Sequence, residues 1–107
     1  MKNYLIYISS LFIFLFSTIS VAEKTITVTV NTNESSAAGI GYSVAGKKSG
    51  GAGKSYVGKG PINKTYVFGY RKNSINGPNI RCGSFKLKKN SFVVLRTKGN
   101  KCTASIH

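Results

Sequence analysis

The sequence predicts a small all-β domain, an antiparallel β-sandwich or barrel-like fold pinned by one disulfide, and three observations predict it. Thr25 to Val30 alternates without a fault, with Ile26, Val28 and Val30 on one face and Thr25, Thr27 and Thr29 on the other, as a half-buried strand requires. No later segment has a helical period; short runs rich in aromatic and β-branched residues recur between Gly, Asn and Lys clusters. The only two cysteines, Cys82 and Cys102, stand in a chain whose start reads as an export signal.

That start comes first along the chain. Lys2 precedes an apolar stretch from Leu5 to Phe16, and the small, polar run from Ser17 to Ala22 follows. Residues 1–22 therefore read as a secretory signal peptide cleaved after Ala22, with Ser20 and Ala22 as the small residues of the site. A membrane anchor needs about 20 uninterrupted apolar residues, whereas this stretch is broken by Ser9, Ser10, Ser17 and Ser20. The expected location is secreted or periplasmic, with no transmembrane segment in the mature chain. A preference for Lys over Arg, with abundant Asn and Ile, fits an AT-rich bacterial genome.

Residues 23–107 form a single cationic all-β domain in this reading. Removing Lys2 leaves 15 of the 16 basic residues against two acids, a net charge of +13. The acids are Glu23 and Glu34, Asp is absent, and the chain is purely cationic from Ser35 onward. Ion pairs within the domain cannot neutralise so many lysines, so they meet solvent or an external anion. An 85-residue domain also buries a small core. A Cys82–Cys102 disulfide would supplement it by about 3 kcal/mol.

The second strand spans Ala38 to Ala45: Ile40, Tyr42 and Val44 share a face, and Gly39, Gly41 and Ser43 leave the other almost bare. Gly46 to Asn63, rich in glycine and lysine, reads as a flexible cationic loop. A third strand, Thr65 to Arg71, places Tyr66, Phe68 and Tyr70 on one side. The core has first claim on these rings and on Tyr42 and Tyr56, with stacking on bases or sugars as the alternative.

The C-terminal third reads as a meander. Phe85–Lys88 and Ser91–Thr97 flank a Lys89-Asn90 turn, and Lys98-Gly99-Asn100 turns into Lys101–Ile106. Phe85 then faces Val94 and Leu87 faces Phe92, with Ala104 against Val94 and Ile106 against Phe92. This register puts Cys102 on the apolar face and Cys82 on the opposite one, in outer strands about 9.6 Å apart, beyond disulfide reach. The disulfide is expected to prevail, through a bulge at Gly83 together with a fold of Pro78 to Arg81 or departure of the last segment from the sheet.

Catalytic constellations are missing from this reading. Lys48 to Ser55 ends in Gly-Lys-Ser like a phosphate-binding loop, but Lys48 replaces the first Gly and Tyr56 to Pro61 cannot open the required helix. His107 is the only histidine and no Asp exists for a triad. The expectation is therefore a protein that is not an enzyme, has no cofactor, nucleotide or metal, and is a monomer.

Binding is the better expectation. The predicted anion contacts are Lys47, Lys48, Lys54 and Lys59 of the Gly/Lys segment, Arg71 and Lys72 after the aromatic strand, and Lys86, Lys88 and Lys89 near the expected hairpin. With 13 Lys and three Arg, diffuse attraction to a charged polymer outweighs bidentate recognition. The partner classes are cell-surface polysaccharide, lipopolysaccharide, glycosaminoglycan or extracellular nucleic acid. The alternative is a protein-binding module, an effector or inhibitor, that docks on an acidic protein through a sheet edge or the Gly/Lys segment.

Overall fold

Alternation governs the computed structural model, which describes residues 24–107. The expected signal peptide and its cleavage site lie outside the described residues. Eight strands follow one another: β1 (Thr25–Thr32), β2 (Ala37–Val44), β3 (Lys47–Ala52), β4 (Ser55–Pro61), β5 (Lys64–Lys72), β6 (Asn79–Leu87), β7 (Ser91–Lys98) and β8 (Lys101–Ile106). They build two four-stranded sheets, ordered β4-β1-β7-β8 and β3-β2-β5-β6. Every pairing is antiparallel except β1 with β7. The all-β sandwich is therefore as the alternation predicts.

The sheets pack through the faces that the sequence marks as apolar. Ile26, Val28 and Val30 of β1, Ile40, Tyr42 and Val44 of β2, and Tyr66, Phe68 and Tyr70 of β5 are all buried. Their rings meet edge to face, Tyr42 lying 5.2 Å from Tyr66 and 6.0 Å from Phe68, a geometry that suits the aromatic quadrupole. The aromatic strand thus serves the core. Burial pushes the phenols of Tyr42, Tyr66 and Tyr70 above the usual tyrosine value.

Gly46 to Asn63 is not the flexible loop expected: it holds β3, β4 and the turn between them. Ala45 and Gly46 both take positive φ in the two-residue turn between β2 and β3, matching the twist of a tight hairpin. In β4 the inward glycines leave room for rings from the facing sheet. A Cβ on Gly60 would stand 2.3 Å from the Tyr66 hydroxyl, and one on Gly58 2.4 Å from that of Tyr42. The Tyr66 hydroxyl donates to the Pro61 carbonyl at 2.6 Å. These glycines are strand residues because a tyrosine fills the space beside each of them.

The C-terminal meander is also corrected. β6 and β7 belong to different sheets, so Lys89-Asn90 is a crossing between sheets and not a hairpin turn. Phe85 pairs with Tyr66 and Leu87 with Lys64, while β7 lies parallel to β1. Ala104 faces Leu95 and Ile106 faces Val93, one residue from the expected register, because the turn is Gly99-Asn100 between paired Lys98 and Lys101. Val93 and Leu95 are buried, and Phe92 is 40% exposed. The run Phe92-Val93-Val94-Leu95 is apolar on both faces, so its own alternation could not select the inner one.

Separation of β6 from β8 into two sheets removes the conflict over the disulfide. Arg81 lies opposite Gly69 and Gly83 opposite Phe68, so Cys82 is the extra residue of a β-bulge. Gly83, at φ +149°, provides the backbone turn. Cys82 is thereby buried and bonded to Cys102, with the two Cα atoms 4.6 Å apart. The bond joins the β6 edge of one sheet to the β8 edge of the other, and the β3–β4 connection links the sheets at the opposite edges.

Candidate anion-binding groove

Bulk on one side of the β3-β2-β5-β6 sheet is matched by emptiness on the other. Register carries Gly50, Gly41, Gly69 and Arg81 into one row across the outer face of the four strands. On one side of it runs Ala52, Gly39, Arg71 and Asn79; on the other, Lys48, Ser43, Val67 and Ser84. A Cβ on Gly41 would stand 2.1 Å from the Ser49 carbonyl oxygen, and one on Gly69 2.5 Å from that of Ile80. Backbones approach too closely there for any side chain, and the face holds a concavity lined by these rows.

The resulting groove encloses about 540 Å³, within the range typical of ligand sites. Its charged side chains are Lys48, Arg71 and Arg81, and no carboxylate lines it. Ile75, exposed on the β5–β6 loop, stands over Gly39, its Cγ1 3.7 Å from where a Cβ would be. The same loop accepts a hydrogen bond at the Gly77 carbonyl from Nη1 of Arg71 at 3.2 Å. The loop is tied in turn to the sheet by Lys72 N–H donating to Pro78 O and to the β1–β2 connection by Asn73 N–H donating to Ser36 O.

Of the predicted contacts, the groove brings together Lys48 and Arg71. Lys86 lies on the same outer face, paired with Thr65. Lys47 opens β3 on the other face of that sheet, and Lys72 closes β5. Lys54 sits in the β3–β4 turn and Lys59 on the outer face of the other sheet opposite Thr27, while Lys88 and Lys89 occupy the crossing to β7. Arg81, Asn79 and Ile75 were not marked by the sequence reading. The bare face of Gly39, Gly41 and Ser43 was a signal for this surface, but only pairing with β5 and β6 supplies its cations.

Glu34, the one acidic residue among those described, is already engaged. The Ser36 hydroxyl, then the Thr97 hydroxyl, then the Ser36 N–H, all donating to its carboxylate, hold its pKa at about 2 against an ordinary 4.5. Because the unfolded chain takes up this proton first as pH falls, this tie's contribution is complete above pH 4.5 and is lost on descent through about 2. Urea midpoints measured across that window should fall with pH in the native protein and change less in Glu34→Gln. Parallel curves would show that the tie contributes nothing.

Chemical groups elsewhere are sparse. Ser105 Oγ lies 2.9 Å from Nε2 of His107 on the surface of β8, with no acid beside them. Among the described residues no group of three His, Cys, Asp or Glu gathers to hold a metal. The Gly53-Lys54-Ser55 triplet runs from a turn into β4, so no helix N-terminus follows to hold a phosphate. No helix of the described residues is long and apolar enough to cross a membrane. Compared with protein-family models, with curated proteins and with solved structures, the chain matches none.

Proposed function

We propose that this is an exported, non-catalytic binding protein that takes an anionic polymer in the groove on the β3-β2-β5-β6 sheet. One observation carries the reading: a glycine-floored concavity of about 540 Å³ holds Lys48, Arg71 and Arg81 and no carboxylate. The low-dielectric walls of such a groove focus the field of a strongly cationic protein. Export is supported by the apolar N-terminal segment and by the disulfide, which suits an oxidising compartment. The free edge of β3, which pairs only with β2, supports the second reading, addition of an acidic strand from a partner protein.

The test compares two double charge reversals with equal change in net charge. Arg71→Glu/Arg81→Glu should elute from heparin at clearly lower salt than native protein, with affinity reduced by about tenfold or more. Lys88→Glu/Lys89→Glu, away from the groove, should fall much less. Equal losses for both pairs, or retention on heparin no greater than on a plain cation exchanger, would leave net charge as the whole explanation. The search would then pass to the β3 edge.

A further inference from the structure

We infer that the ligand of this groove is a linear anionic polysaccharide, recognised along a path from the Arg71/Arg81 pair to Lys48; the inference rests on the groove being the anion site. Nucleic acid is the competing polyanion, and the direction of the aromatic side chains argues against it. Proteins that bind single strands without sequence preference stack successive bases on exposed rings. Here Tyr42, Tyr66, Phe68 and Tyr70 are all buried on the inner face. Exposed Phe92 belongs to the other sheet. Among the described residues no exposed ring stands where the cations are.

A duplex fits no better. Four strands at a spacing of about 4.8 Å make a concavity about 14 Å across between strand axes, whereas a B-form duplex, carrying a major groove about 12 Å wide and a minor groove about 6 Å wide between its backbones, is broader than this. A duplex would rest on the rim, away from the floor.

A sugar chain suits what is present. The row Gly50-Gly41-Gly69 exposes backbone without side chains, so flat rings can descend to the floor, with Val67 and Ile75 available to their C–H faces. Asn79 and Ser43 offer hydrogen bonds to hydroxyls. Arg71 and Arg81, two of the three arginines of the chain, sit in adjacent rows at one end, and a guanidinium pairs with sulfate or carboxylate through two parallel bonds. Lys48 stands two strands away and four residues further along the strand direction. By ladder dimensions that separation is about 16 Å, which suits an oligosaccharide of several units with anionic groups at both ends.

Titration calorimetry of the oxidised protein with a heparin hexasaccharide, and with a thymidine oligonucleotide of equal charge, tests the inference at several salt concentrations. The hexasaccharide should bind about tenfold more tightly, and Arg71→Lys/Arg81→Lys, which keeps the charge but removes the bidentate fork, should weaken its binding several-fold. Circular dichroism melts check that the variants fold. Equal or tighter binding of the oligonucleotide would overturn the polysaccharide assignment while leaving the groove as an anion site. If Arg71→Glu/Arg81→Glu folds and binds both probes as native protein does, the groove itself is wrong, and the inference fails with it.

Discussion

Replacing Cys82 and Cys102 together by alanine lowers the stability of this protein by about 3 kcal/mol, the entropic contribution expected for closing a loop of this length. The bond spans 20 residues. In a domain of this size such a loss moves the melting temperature down by roughly 12–24 °C. The effect should concentrate at one corner of the sandwich, because β6 and β8 are edge strands of separate sheets and share no backbone ladder. Thermal melts of oxidised, reduced and doubly substituted protein measure it. In the reduced protein, amide exchange should accelerate first along β8. Unchanged melting would mean that Ala104 and the β7 ladder hold β8 in place alone.

Tyr66→Ala should be at least as damaging. Its ring is fully buried between the sheets, and aromatic truncation at such a site costs about 3–5 kcal/mol. Tyr66→Phe separates the two roles of the side chain: the ring stays, while the Pro61 carbonyl loses the hydroxyl that donates to it at 2.6 Å, a loss of roughly 1 kcal/mol. Gly60→Ala attacks the same contact from the other strand, since its Cβ would fall 2.3 Å from that hydroxyl. Urea midpoints at constant m-value rank the three. A Gly60→Ala midpoint equal to that of native protein would show that the ring shifts freely, contrary to the close packing described.

The glycines show why part of this structure was legible in the sequence and part was not. Alternation is a local property, so the inner faces of β1, β2 and β5 could be read from Ile26, Tyr42 and Phe68 with their neighbours two residues away. A glycine carries no such face. Gly46 to Asn63 reads as loop because backbone freedom is the only property of its glycines visible in one dimension. In the fold Gly58 and Gly60 are strand residues under tyrosine hydroxyls, and Gly50 floors the groove.

The cations divide along the same line. Lys48 and Arg71 were marked for their own neighbourhoods and Lys86 for an expected hairpin. Arg81 carries no local sign of an anion contact, because its value lies in standing opposite Gly69, twelve residues away and across a bulge. Lys88 and Lys89 stand in a crossing between sheets, since β7 found β1 as its partner.

What the sequence by itself determined was the β class, the inward faces of its cleanly alternating strands, the cationic character and the pairing of the only two cysteines. Each follows from composition or from a period of two residues along the chain. Only the tertiary structure decided that β1 lies parallel to β7, that Cys82 bulges inward, and that three rows of residues form one groove with Arg71, Arg81 and Lys48. Those outcomes depend on register between strands distant in the chain. A shift of one residue there exchanges the buried and exposed faces of a strand, and a doubly apolar run such as Phe92 to Leu95 takes its register from its partners.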